Sequence, residues 1–387
     1  MNTNTINKKI LILGSTGSVG TQAADVSRSH SLNVDGICAS TNIKILEEQI
    51  REFHPRYCAV VDVNAAKDLA VRVADTNTVV LSGIEGVVDM INLSDAEIAV
   101  NSIMGRAGLE PTLAIIRSGK DLALANKETL VTAGHIVMGE ARKYGVNVLP
   151  VDSEHCAIFQ CLRAGNKNEV SRLILTASGG PFYGKSFDQL SEITVEMALA
   201  HPTWKMGAKI TIDSATMMNK GFEVIEACHL FGVSVENVDV VVHRESIIHS
   251  MVEYIDGSVI AQLAVPDMRM CVHYAMTYPN RGYSTAERLD FAKLGNLSFL
   301  PPDNENFPML NLAREAFKMG GIIPCVLNGA NEAAVSLFLN GKIKFTEISK
   351  LVKDITLNFN NINKPTLAEI AEADIRSRKL VNEAANI

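Results

Sequence analysis

The chain opens on an apolar run that passes straight into a glycine-spaced loop, KILILGSTGSVG at residues 9–20. Consecutive Ile and Leu with no polar alternation predict a strand covered on both faces, the mark of a parallel sheet. Gly14, Gly17 and Gly20 follow at three-residue spacing. Glycines there permit a tight turn and a close approach of backbone to a pyrophosphate, and the next helix offers unpaired N–H groups and the positive end of its dipole. Thr16 and Ser18 add hydroxyl donors. A plain glycine turn has the same residues, but the position in the first strand–helix unit favours nucleotide binding.

A buried parallel strand needs parallel neighbours, and the sequence supplies them. Short apolar runs at 33–40, 56–63, 78–83, 97–105, 120–126 and 146–153 alternate with amphipathic stretches such as 42–53, 109–119 and 127–145. The alternation predicts an α/β domain over 1–151, a parallel sheet with helices on both faces. Residues 152–277 change character, with a helix pattern at 155–165, a strand at 172–178, a polar stretch to about 208, KITIDS at 209–214, a helix through 222–232 and strands at 238–244 and 257–265. We expect a central α+β domain there, with a small mixed or antiparallel sheet. Residues 278–306 carry Pro279, Pro301 and Pro302 and read as a linker, and 307–387 as a C-terminal helical domain. At about 150 residues per domain, a chain of this length accommodates three.

Composition narrows the partners. Lys and Arg number 36 against 43 Asp and Glu, a net charge of −7 with no basic run, which argues against wrapping nucleic acid. Seven cysteines, an odd count without C-x-x-C, fit a reducing cytoplasm better than a disulfide framework. No 18-residue apolar run suggests a membrane span, and the N-terminus is too short in apolar residues for a signal segment.

Five patches carry candidate chemistry. The second strand ends at Ser40-Thr41-Asn42 without a carboxylate, and Asp35 lies too early in it. NAD-binding sheets place an acid there for the ribose hydroxyls, so NADP is favoured, with Lys44 the nearest cation. Asp152 and Glu154 stand at i and i+2 where the strand VNVLPV ends. Two carboxylates at the carboxyl end of a parallel strand suit a hard cation such as magnesium or manganese, and a helix N-cap explains them equally. In 212–226, Ser214, Asn219 and Lys220 are donors suited to phosphate, while Glu223, one turn before Glu226, offers a third metal ligand or simply a polar helix entrance. Ser178-Gly179-Gly180 reads as an anion-binding nest or a turn, and HPTWKMG (201–207), with the chain's one Trp, as a lid over about 179–208 or a surface loop.

The blocks GSTGSVG (14–20), LANKETLV (124–131), PVDSEHCAIFQ (150–160), SGGPF (178–182), HPTWKMG (201–207), DSATMMNKGFE (213–223), IHSMVEY (248–254) and PDMR (266–269) stand in this order along the chain. On these residues it resembles the 1-deoxy-D-xylulose 5-phosphate reductoisomerase family. The resemblance implies a Rossmann-like N-terminal domain, a central catalytic domain and a helical C-terminal domain, usually in a homodimer. It implies NADPH-dependent, metal-dependent conversion of 1-deoxy-D-xylulose 5-phosphate to 2-C-methyl-D-erythritol 4-phosphate, in the non-mevalonate isoprenoid precursor pathway. By resemblance, Thr16, Gly17, Ser18 and Val19 hold the cofactor phosphates, Ser40, Thr41 and Asn42 lie near the adenosine ribose, and Asn126, Glu128 and Gly207 make further cofactor contacts. Asp152, Glu154 and Glu223 hold the divalent cation, magnesium or manganese with cobalt as a third candidate. Lys127, Ser153 and Glu154 touch the reacting oxygens of the phosphosugar. Ser178, His201, Ser214, Asn219 and Lys220 hold its remaining oxygens and phosphate, with Glu223 beside them. Lys127, Glu154, His201 and Trp204 are the implied catalytic group. Two rival readings are a phosphorylating semialdehyde dehydrogenase using Cys156 as nucleophile, and a non-catalytic NADP-binding sensor.

Overall fold

The computed structural model describes residues 8–200, 207–284 and 286–386. The chain divides into two compact units, one of Met1–Thr129, His135–Cys156 and Asp267–Glu287, the other of Leu130–Gly134, Ala157–Pro266 and Arg288–Ile387.

The first unit is built on seven strands, Lys9–Leu13 (β1), Asn33–Ala39 (β2), Tyr57–Val60 (β3), Val79–Ser82 (β4), Ile98–Asn101 (β5), Asp121–Leu124 (β6) and Val148–Pro150 (β7). They lie in the order β4-β3-β2-β1-β5-β6-β7, and every pairing is parallel. Successive residues Ile10 to Leu13 are all fully buried, as are Cys58, Ala59 and Val60. Both faces of the sheet are therefore covered, as the lack of alternation in these strands requires. The strand order reverses between β1 and β5, and parallel sheets bind ligands outside the carboxyl ends of strands at such a point. The loop Gly14–Gly20 leaves β1 there.

The chain returns to this unit late. The helix Arg269–Thr277 packs beside the helix Ser18–His30 and strands β6 and β7. The rings of His30 and His273 stack with centroids 4.6 Å apart. Local pattern at 266–277 gives no sign of which core this helix joins, and reading in chain order groups it with the segment before it.

In the second unit, Val170–Ala177 (β8), Val238–Val242 (β9), Ile248–Tyr254 (β10) and Val259–Leu263 (β11) form a sheet in the order β11-β10-β8-β9. β8 and β9 are parallel and the other pairs antiparallel, so the sheet is mixed. Residues 209–214 are helical, within Ala208–Ala215, where the Thr211 hydroxyl donates to Gly207 O at 2.8 Å. The segment 278–306 holds a short helix, Phe291–Leu294, and a bridge that ties Leu300 to Val242 of β9. Four helices complete the unit, Met309–Met319, Ile323–Leu339, Phe345–Asn358 and Leu367–Ala384. Ile323–Leu339 is buried along nearly its whole length, as expected of a helix apolar on all sides. Among the described residues no helix is long and apolar enough to cross a membrane.

Candidate active site

The glycine loop of the first unit is closed by Gly17 N donating to Gly14 O at 3.0 Å. Gly14 has φ +78°. A Cβ on Gly20 would lie 2.1 Å from Gly14 O and 2.6 Å from Ser15 Cα, so the helix can start this close to the loop only without a side chain. Gly17 caps the helix Ser18–His30 with no side-chain bond, which leaves the first N–H groups directed at the loop. Gly17 and Ser18 are exposed, and Thr16 and Val19 half-buried. Sequence reading missed the loop's anchor: buried Ser15 donates from Oγ to Gln49 Oε1 at 2.7 Å, and Gln49 Nε2 donates to Ser15 O at 2.9 Å. Nothing in the local sequence of Gln49 marks it for this.

Ser40, Thr41 and Asn42 are exposed at the end of β2, and Asn42 accepts from Ile45 N to cap the next helix. Asp35 sits buried in mid-strand, paired with Arg56 Nε and Nη2 at 2.6 and 2.8 Å and accepting from Ser94 Oγ at 2.5 Å. It is occupied in holding the sheet together.

Beyond β6, Asn126 caps the helix Lys127–Tyr144 by accepting from Thr129 N at 2.9 Å and donates to Ile103 O and, at 2.7 Å, to Gly105 O. Lys127, the first residue of that helix, is buried, and its Nζ lies 2.5 Å from Asp152 Oδ2. Asp152 stands between β7 and the helix Ser153–Cys161, with Glu154 in the first turn of that helix. Burial works against ionisation of Asp152, but the Lys127 ammonium and His155, whose Nδ1 is 3.7 Å from Oδ1, outweigh it and hold the carboxyl well below the usual carboxylate range. Ser153 Oγ donates to Glu154 Oε2 at 2.5 Å, and Glu128 is half-buried.

Cys156 is 1 % exposed. Its neighbour Cys271, also buried, has its thiol pushed well above the usual range by a hydrogen bond with Cys156 and by burial. A nucleophilic thiol needs access and a stabilised thiolate, so this packing contact does not serve the semialdehyde dehydrogenase reading.

In the second unit, Ser178-Gly179-Gly180 turns through two left-handed glycines, φ +76° and +68°. Gly180 packs against the end of the helix Ala208–Ala215, where a Cβ would lie 2.8 Å from Ser214 O. The next helix, Met218–Phe231, begins after Met217, a non-glycine residue at φ +65°. Such a conformation costs about 1–3 kcal/mol and persists only where the surrounding structure holds it. Asn219 Nδ2 donates to Glu223 Oε1 at 2.5 Å, and Lys220 Nζ forms an ion pair with Glu223 Oε2. Lys220 and Glu223 are 4 % and 1 % exposed. The turn at 178–180 meets the helix bearing Ser214, while Asn219, Lys220 and Glu223 form a second group one helix on. Sequence reading passed over His249 of β10 except as part of a motif. Burial first, with His243 and then the Lys220 charge adding to it, lowers its pKa to about 4. Gly207 caps the helix Ala208–Ala215. His201 and Trp204 lie outside the described residues.

Three family models cover most of the chain: 1-deoxy-D-xylulose 5-phosphate reductoisomerase at residues 10–134, its C-terminal domain at 148–231, and the DXP reductoisomerase C-terminal domain at 263–380. A 1-deoxy-D-xylulose 5-phosphate reductoisomerase from a Thermoanaerobacter species is 54% identical over 370 residues, 95% of this chain and 96% of that protein. The solved reductoisomerase from Zymomonas mobilis in complex with NADPH matches with a TM-score of 0.93 at 40% identity, over 98% of this chain and 99% of that one. A crystal structure of DOX-P reductoisomerase in complex with NADPH, fosmidomycin and magnesium matches with a TM-score of 0.92 at 38% identity, over 98% of each chain. Identity at this level along almost the full length of the chain means that it belongs to the 1-deoxy-D-xylulose 5-phosphate reductoisomerase family.

Proposed function

We propose a division of labour among these residues for the reaction of the family, the rearrangement and reduction of 1-deoxy-D-xylulose 5-phosphate to 2-C-methyl-D-erythritol 4-phosphate. The chain is an NADPH-dependent oxidoreductase with isomerase activity that requires a divalent cation. Thr16, Gly17, Ser18 and Val19 take the NADPH phosphates, supported by the uncapped helix start and the side-chain-free approach at Gly20. Ser40, Thr41 and Asn42 meet the adenosine ribose, and Asn126, Glu128 and Gly207 complete the cofactor contacts.

Asp152, Glu154 and Glu223 fit a hard cation, since all three offer carboxylate oxygen. Asp152 is held in the ionised state a ligand must have. A bound magnesium or manganese supplies Lewis-acid polarisation of the substrate oxygens. Lys127 keeps a proton beside those oxygens, where it offsets charge that develops on them. Ser153 and Glu154 orient the reacting end. Ser178, His201, Ser214, Asn219 and Lys220 hold the remaining substrate oxygens and the phosphate, and Trp204 with the lid keeps water from the reacting centre. By role the chain has a cofactor part, 1–151, a catalytic part, 152–277, with a lid at about 179–208, a linker, 278–306, and a helical part, 307–387.

The observation that carries this reading is the ionised Asp152 held against Lys127 at the carboxyl end of β7. NADPH absorbance followed with the deoxyxylulose phosphate is expected to fall only with magnesium or manganese present, and to stop on chelation. Undiminished turnover in chelator refutes the cation's role. Cofactor binding without NADPH oxidation, in the presence of substrate and metal, returns the sensor reading.

We also infer a homodimer in the cytoplasm. β11 is an edge strand with Val259 46 % and Ile260 37 % exposed, and a bare apolar edge is a template for a further strand. The V259K/I260K variant is expected to scatter light as one chain where the parent scatters as two. A monomeric parent refutes the dimer. All seven cysteines are buried and none is joined in a disulfide, which supports a reducing compartment.

A further inference from the structure

Asp213 stands one residue before Ser214 on the helix Ala208–Ala215, and its side chain is only 2 % exposed. A carboxylate this deep must be met by charged or hydrogen-bonding groups. One is local: Lys209 Nζ, one turn earlier on the same helix, lies 2.8 Å from Asp213 Oδ2. Another comes from far along the chain, where Asn331 Nδ2 donates to Asp213 Oδ1 at 2.7 Å. Asn331 is fully buried in the middle of the helix Ile323–Leu339, between Ala330 and Glu332 and close to Leu327 and Val335 in sequence. An amide inside such a helix costs stability unless its hydrogen bonds repay the lost hydration.

The linkage reaches the phosphate donors by two routes. The Lys209 ammonium lies 5.1 Å from the ring centroid of Phe222, the residue before Glu223. Thr216 Oγ1 donates to Asp213 O at 3.2 Å, and Met217 N donates to Ser214 O at 3.2 Å, leading into the left-handed Met217. Adjacent residues of a helix point about 100° apart. A helix held at Asp213 therefore has a set rotation, and Ser214 a set direction.

We propose that Asn331 is a positioning residue for the substrate phosphate: by holding Asp213, and Lys209 through it, the amide fixes the rotation of the helix Ala208–Ala215 and so the aim of the Ser214 hydroxyl. The proposal rests on the assignment of Ser214 to the phosphate.

N331L, close in size but without the donor, tests it in the full enzyme. KM for the phosphosugar is expected to rise about tenfold, the worth of one hydrogen bond to a charged group. The expected change in kcat is less than about threefold, and KM for NADPH should stay within about twofold. A role confined to packing lowers the melting temperature and leaves this split absent. N331D sets two carboxylates against each other and is expected to be worse than N331L. The reversed pair D213N/N331D restores a donor and an acceptor and should bring KM below that of N331D. If N331L is not recovered folded, N331S is read in the same way. An unchanged phosphosugar KM in either folded variant, or a reversed pair no better than N331D, overturns the proposal. S214A separates the two assignments. If it leaves KM unchanged, Ser214 does not hold the phosphate. If S214A raises KM and the Asn331 variants do not, only the positioning role is lost.

Discussion

Replacing Glu223 by glutamine is expected to lower kcat/KM by about three orders of magnitude while leaving the affinity for NADPH within about twofold. The change keeps the size of the side chain and an acceptor for Asn219 Nδ2, which donates to Glu223 Oε1 at 2.5 Å. It removes the charge. Lys220, 4 % exposed, then loses the carboxylate it is paired with, and breaking one side of a buried pair costs about 3–5 kcal/mol. The proposed cation loses a ligand oxygen in the same step, so substrate anchoring and charge stabilisation fail together. The glycine loop proposed for NADPH belongs to the other unit and includes none of these groups. Steady-state NADPH oxidation alongside a fluorescence titration of NADPH reads both effects. A folded E223Q enzyme with parental turnover removes Glu223 from the chemistry.

The second large effect falls on the cofactor. G20A is expected to raise KM for NADPH about a hundredfold and to cost about 1–3 kcal/mol of stability. The added methyl would sit 2.1 Å from Gly14 O and 2.6 Å from Ser15 Cα. Both are backbone atoms, so no rotamer change relieves the clash. The loop has to move, and Ser15 is tied to Gln49 by two hydrogen bonds that resist it. G17A places its methyl 3.3 Å from Gly14 O, with an ordinary backbone φ of −82°, and should be about tenfold milder. Cofactor titration and thermal melting measure the pair. An unchanged NADPH KM in G20A removes the close approach at this glycine from cofactor binding.

The parallel sheet was legible because β1, β2 and β3 lack alternation, which only a strand covered on both faces tolerates. β10 was harder to read as a strand. His249 and Ser250 are both buried there, which breaks the period of two that marks a half-buried strand. The return of Arg269–Thr277 to the first unit was invisible, because the contacts of Cys271 with Cys156 and of His273 with His30 join residues far apart in the chain. The site shows the same division. The residue types at 152–154 and 219–223 point to cation and phosphate chemistry, and Asp35, too early in β2 to stand at its end, is engaged with Arg56 and Ser94. The pairing of Lys127 with Asp152 and the support of Ser15 by Gln49 arise from tertiary packing and leave no local pattern to read.

The burial of all seven thiols has a practical side. Thiol reagents react through an accessible thiolate, so the folded protein gives maleimide dyes little to attack. A cysteine introduced at an exposed position such as Lys44, beside the end of β2, then becomes a selective attachment point without removal of the native cysteines. A fluorophore there would stand next to Ser40, Thr41 and Asn42, the residues proposed to meet the cofactor ribose, turning a feature of core packing into an optical handle on nucleotide arrival.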